Sequence, residues 1–394
     1  MLWLESHGTT PNMSILNALY VSRRPAAAFV VVGLFWGCFA AYVPVIKAQL
    51  DVNDAVFGLL LLGSAMGLVS SMWLAPKADK VLGGRSMQLG VVLLAVAWLL
   101  PPLMTVPVLF AVTLMFVGMS SGLLDVVMNA RVSELEAAHN RPLMNANHGM
   151  FSVAYAVSAT LTGLAREGGL PPVLVFAGFG VASILMVPLI YMDVDVTEPE
   201  DGVQAKYPLW PVLVSGTIVL VAFMSEATVE AWSALHIERT LNGGAAEGAL
   251  GPAMLGVTMA IGRFSGQAVS ERMRDTNVII GAACMTALGA VIAALAVAPV
   301  WAYLGFGILG LGVSVIGPLG LAIVGRIVPA HLRTDAISKA AVMGFSGFFF
   351  APVIMGVVSE AFGLRVAFAC VAGLILLAIP LTLIVAKMPG ANGR

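Results

Sequence analysis

Charge is scarce in this chain: only 10% of its 394 residues are Asp, Glu, Lys or Arg, against roughly 25% in an ordinary soluble domain. That scarcity excludes a water-surrounded globule, whose surface needs charged side chains to stay solvated. The charges are also balanced, 20 basic against 21 acidic, so no basic face exists for a nucleic acid and no such partner is expected. Cysteine is rarer still. Cys38, Cys284 and Cys370 each sit in an apolar stretch, with no pairing or metal-ligand spacing among them, so they are packing residues. No His-Glu-x-x-His zinc helix and no water-soluble domain is present, so neither a metal, a cofactor nor an enzymatic activity is expected. The opening residues lack the basic, apolar and small-residue order of a signal peptide, and Met13 is an alternative start.

What the chain has instead is oil: 59% of residues are hydrophobic, with 42 glycines and 21 methionines. Apolar stretches long enough to cross a bilayer as a helix, about 17 to 25 residues, recur throughout. Twelve are counted: 26–46, 56–74, 87–103, 106–130, 147–164, 172–192, 209–235, 250–269, 277–298, 301–327, 336–358 and 366–386. Backbone in lipid must satisfy its own hydrogen bonds and no two-residue alternation supports a barrel, so the fold class is an all-α membrane protein. With the N-terminus inside, fifteen Lys and Arg fall in cytoplasmic segments and four outside (Lys47, Arg166, Arg239, Arg365), which predicts both termini in the cytoplasm. Arg263 lies within a span.

The longest polar interruption, residues 193–208, follows the sixth span and is acidic. It predicts a cytoplasmic lead at 1–24, a six-helix bundle at 25–192, a linker at 193–208, a second bundle at 209–388 and a tail at 389–394. The two halves echo each other. Asp79 in "ADK" and Glu271 in "SER" stand 192 residues apart after the second and eighth spans, and Gly163 and Gly356, like Glu167 and Glu360, stand 193 apart in the fifth and eleventh. The stretch "APKADKVLGGR" resembles the Gly-x-x-x-Asp-Arg/Lys-x-Gly-Arg loop between helices two and three of the major facilitator superfamily. It carries Asp79, Lys80, Gly84 and Arg85 at the matching places, with Ala75 for the first glycine and one extra residue. The resemblance spans about residues 25 to 388. It implies two pseudo-symmetric six-helix bundles and alternating-access transport of a small molecule. It also implies a conformational latch of Asp79, Lys80 and Arg85 with Glu271 and Arg272, charges at helix ends that pair across neighbours.

The fourth span holds "LDVVMN". An aspartate at a helix centre costs about 2.5 to 3.5 kcal/mol on insertion scales, so Asp125 is expected to face a polar interior. Asn129, one turn on, shares its face and can orient the carboxyl or bind solute. Alternatively Asp125 lies at the cytoplasmic edge, since nineteen residues from Val106 at about 1.5 Å each nearly exhaust the bilayer core. The element resembles the "LETAAN" type in the fourth helix of fucose–proton symporters, which implies that Asp125 carries the proton. Trp36-Gly37 matches that branch too, but Pro44 stands where it places a second acid.

In the seventh span Glu226 and Glu230 are one turn apart and repel unless protonated, paired or bound to a cation, so they are candidates for proton carriage or an amine-bearing ligand. Arg263 in the eighth span needs an anion, either a substrate carboxylate, Asp125 or Glu134, or else snorkels to the interface. Trp36 and Tyr155 are placed to stack on a solute ring or simply to pack, and His148 to relay protons or cap a helix. "LDVVMNA", "HGMFS" and "SEATVEAWS" resemble a bacterial branch that includes a membrane protein of rhizobial rhizopine gene clusters, which implies an amino-polyol substrate. The expectation is a monomeric, proton-coupled transporter of a sugar-, polyol- or amino-polyol-like solute in a bacterial inner membrane, with the bilayer and protons as its other partners. The alternative is a proton-driven drug or metabolite exporter.

Overall fold

The computed structural model describes residues 14–193, 209–270, 273–329, 332–388 and 390–391. After a short helix, Ile15–Val21, the spans run α1 Arg23–Leu50, α2 Asp54–Leu82, α3 Ser86–Ala97, α4 Pro107–His139, α5 Met144–Glu167 and α6 Pro172–Ile190. Then follow α7 Leu209–Leu235, α8 Ala245–Ser270, α9 Asp275–Leu295 and α10 Pro299–Ile327. The last two spans are each broken: α11 is Arg333–Phe345 with Gly347–Phe362, and α12 is Leu364–Leu376 with Ala378–Val385. The breaks have local causes. Gly344, Ser346 and Gly347 weaken the turn at the α11 break, and Pro380 cannot donate to the carbonyl one turn back, next to the α12 break at Leu377.

Helices outrun the apolar stretches at several ends. α4 continues nine residues past Ala130, through Arg131, Glu134 and Glu136, to His139, which leaves Asp125 mid-helix rather than at an edge. "APKADKVL" is likewise helical as far as Leu82, so the motif read as a loop is the end of α2 followed by a 3-10 turn, Gly83–Arg85. By length and composition alone ten stretches of the described residues can cross a membrane. One of these, Asp54–Leu103, contains both α2 and α3; α5 falls outside the ten because it is polar, burying Asn147, Ser152, Ser158 and Thr162. Its place explains the polarity: α5 is sandwiched between α1 and α8.

The packing repeats itself. In the first six helices α1 packs on α5, α2 on α4, and α3 on α4 and α6; in the last six α7 packs on α11, α8 on α10, and α9 on α10 and α12. Adding six to each label of the first set gives the second. The joints between the halves, α5 on α8 and α2 on α11, obey the same rule. Small residues permit these contacts, as usual where lipid removes the hydrophobic drive between helices. A Cβ on Gly63 would lie 2.2 Å from the Ala111 carbonyl oxygen, and one on Gly118 1.9 Å from that of Ser64, so α2 and α4 touch backbone to backbone. Each half also has an aromatic core: Trp98 stacks on Phe176 at 5.2 Å in the first, and His236, Phe306 and Phe368 cluster in the second.

The predicted linker 193–208 falls, but for Asp193, outside the described residues, as do residues 1–13 of the lead and most of the tail. The first described residues, before α1, and the last, after α12, lie at the same end of the bundle, here called the near end.

Candidate functional site

Six helices, four from the first half of the repeat and two from the second, enclose a central cavity of about 200 Å³. α1, α2, α4 and α5 supply one wall, and α7 and α11 the other. Most of the wall is apolar or aromatic. Its ionisable acids are Asp125, Glu226 and Glu230, and among the described residues no Lys, Arg or His lines it.

Asp125 reaches the cavity from the middle of α4. One turn further on, Asn129 donates its Nδ2 to the Asp125 carboxylate Oδ1 at 3.1 Å and to the Asp125 carbonyl at 2.8 Å. Asn129 therefore stands behind the acid and orients it, and is not itself in the wall. The second acid, Glu226, is buried (6% exposed) and accepts from Arg263 Nη2 at 3.1 Å. Arg263 also donates to Ser152 Oγ at 2.5 Å and lies over the Phe151 ring at 5.9 Å. This corrects the expected partners of Arg263: neither Asp125 nor Glu134 holds it, and it neither snorkels nor lines the cavity. Glu134 instead accepts from Arg131 at 2.7 Å. Glu230 lines the cavity with no hydrogen bond or ion pair of its own among the described residues.

Trp36 lines the cavity, with Nε1 donating to Ser121 Oγ at 3.1 Å and its ring edge-on to Trp98 at 5.2 Å. Tyr155 also lines it, 2% exposed, and its buried hydroxyl has no hydrogen-bond partner among the described residues. His148 does not line the cavity. Its ring meets Phe29 edge-on at 4.8 Å and its carbonyl faces Arg263, because the residue falls a full turn short of the cavity-facing Phe151 and Tyr155.

Gly118-Met-Ser-Ser-Gly122 has the Gly-x-Ser-x-Gly spacing of a nucleophile turn, which requires a tight strand-to-helix bend. Here it is plain mid-helix: Ser120 donates to the Phe116 carbonyl and Ser121 accepts from Trp36. No hydrolytic elbow forms there.

At the near end, Asp79 accepts from Arg131 Nη2 at 2.6 Å, while Lys80 and Arg85 are exposed. The pair joins α2 to α4 within one half. Glu271 and Arg272, named with these as a latch, lie outside the described residues. The opposite end carries a cluster that sequence reading missed. Asp54, 2% exposed at the first turn of α2, accepts from Arg239 Nη1 and Nη2 at 2.6 and 2.7 Å, from Lys47 Nζ at 3.0 Å and from Ser359 Oγ. The Asp54 backbone N–H donates to Glu360 at 2.9 Å. Beside it Arg166 makes a two-pronged contact to Glu238, at 2.8 and 3.0 Å. A π-helical turn, His236–Thr240, presents Glu238 and Arg239 together. The only available signal was that Lys47, Arg166 and Arg239 are rare bases outside the spans; the partner of Arg239 lies 185 positions away.

These contacts fasten the two halves at the far end. Replacing Arg239 by Gln removes two charge-assisted hydrogen bonds, worth about 2 kcal/mol together after allowance for the half-exposed arginine. That shifts the population open at the far end about 30-fold. The check is alkylation of a Leu61→Cys reporter in the cavity wall by an impermeant maleimide applied from the far face; an unchanged rate would show that the cluster does not hold the halves together.

The family model described as Major Facilitator Superfamily matches residues 26–344 and 215–393. An uncharacterised MFS-type transporter of Yersinia pestis is 30% identical over 358 residues, covering 89% of this chain and 91% of that protein. Membrane protein MosC of Rhizobium meliloti is 26% identical over 346 residues, with 86% and 84% covered. Among solved structures, a D-xylose-proton symporter superposes with a TM-score of 0.72 at 15% identity, covering 97% of this chain and all of that one.

Proposed function

The chain belongs to the major facilitator superfamily and is a multi-pass membrane transporter, and from that premise we propose that it is a proton-coupled secondary transporter of a small polar solute. Sugar-, polyol- or amino-polyol-like solutes are the class proposed, moved by rocking the two halves about the central cavity. The observation that carries this is the position of Asp125, an acid in the wall of a hollow between the halves. A carboxyl there exchanges its proton with whichever side the cavity faces. The symporter of similar fold moves D-xylose with a proton, which supports the coupling, and the Rhizobium relative supports a place in this branch.

We place both termini in the cytoplasm of a bacterial inner membrane, on the fifteen-to-four distribution of basic residues, and the functional unit as a monomer. The far-end cluster then closes the external side. Asp125 is the proposed proton carrier, with Trp36, Tyr155 and the second wall acid, Glu230, as solute contacts. Asp79 with Arg131 fixes the α2–α4 corner that carries the family motif.

A second reading, proton-driven export, is favoured by the apolar and aromatic character of the wall. The test of the main reading is flux in reconstituted vesicles. An inward proton gradient should drive labelled solute inward against its own gradient; outward movement under the same gradient would select the exporter, and movement indifferent to pH would remove the coupling.

A further inference from the structure

We propose that the transported solute is a small organic cation and that Glu230 is the counter-ion for its ammonium group. The proposal rests on the transport reading and names its substrate class.

It starts from charge. Three carboxyls face the cavity and a single base, Arg263, stands behind them, already committed to Glu226. Asp125 has Asn129 as its fixed partner. Glu230 alone has none. A carboxylate in an apolar wall has to be neutralised by a proton or by a cation. Two unneutralised acids in one cavity allow both, one for the proton and one for the solute.

The rest of the wall decides for a cation over a neutral polyol. A polyhydroxylated solute needs a dense set of neutral donors and acceptors. Among the described residues no Asn or Gln lines the cavity; its two hydroxyls besides Tyr155 are Ser64, which already donates to the Leu61 carbonyl, and Ser121, which already accepts from Trp36, too few neutral groups for a polyol. What lines it instead is aromatic: Trp36, Phe39, Phe151, Phe345 and Phe348. Ring faces with carboxylates are the surroundings in which ammonium groups are held, by cation–π attraction and charge-assisted hydrogen bonds. The independent sign of a missing ligand group is Tyr155, which stands in this wall and whose buried hydroxyl has no partner among the described residues. A single hydroxyl or amine on the solute would satisfy it.

The experiment is equilibrium stabilisation of the purified full chain in detergent near neutral pH, so it needs no flux. Matched triplets on a sugar frame (glucosamine, glucose, glucuronate) and an aromatic frame (phenethylamine, phenethyl alcohol, phenylacetate) are compared at millimolar concentration. Amines are expected to raise the melting temperature where their neutral and acidic partners do not. Glu230→Gln should weaken amine binding about tenfold or more, Tyr155→Phe should weaken it less, and Glu230→Asp should restore part of it. Unliganded melting of each variant confirms that it folds. The proposal is overturned if a neutral or acidic member stabilises as strongly as its amine, if Glu230→Gln keeps amine binding intact, or if no amine stabilises the protein. Amine binding without flux would count against the transport reading and leave standing only the assignment of Glu230 as the counter-ion of a bound amine.

Discussion

Asp125→Asn is expected to abolish proton-driven accumulation while leaving solute exchange intact. With membrane potential clamped at zero, each coupled proton lets a one-unit pH gradient concentrate the solute about tenfold, because one pH unit is about 1.4 kcal/mol. The amide cannot titrate, so the inside-to-outside ratio falls to about one. Asparagine keeps the size of the side chain and can still meet Asn129, so the helix and the cavity wall persist and bound solute still crosses with the rocking halves. The measurement is accumulation and counterflow in the same vesicles. Accumulation equal to the parent's would take the proton away from Asp125. Loss of counterflow as well would assign the residue to solute binding or conformational change.

Why this acid was legible in the sequence, and others were not, follows from range. A carboxyl amid twenty apolar residues advertises itself through its insertion cost, and so do Glu226 and Glu230. All three line one cavity, on helices α4 and α7 that meet it from opposite halves. The turn from Asp125 to Asn129 was equally visible, since four residues on a helix share a face. Hydropathy, however, reports where oil ends and not where a helix ends. α4 carries Arg131 and Glu134 outward while still helical, so counting along the apolar run left an edge position open for Asp125 that the longer helix closes. Partner choice across the chain left no trace in any window. Arg263 pairs with a residue 37 positions back, and Asp54 meets Arg239 across 185 positions and Glu360 across 306. Such pairs are set by how two halves dock, and the repeat predicted the halves without predicting which charges would meet between them.

The pair between α7 and α8 allows the sharpest test of what the cavity acids do. Arg263 and Glu226 have side chains only 11% and 8% exposed and sit 3.1 Å apart. Arg263→Met strands a buried carboxylate, a loss on the order of 3 to 5 kcal/mol. The unfolding midpoint in detergent should fall by several degrees, with lowered yield. Glu226→Gln in the same chain removes the stranded charge, and the double variant should recover most of the stability; a double variant as unstable as Arg263→Met would mean that the arginine acts through Ser152 and Phe151 instead. The double variant also preserves net charge in and behind the wall, still two unneutralised acids. If Glu226 is spent on Arg263 as a brace, leaving Asp125 for the proton and Glu230 for the solute, the double variant transports. If Glu226 itself handles either one, the double variant folds and is silent, and the division of labour among the three carboxyls has to be redrawn.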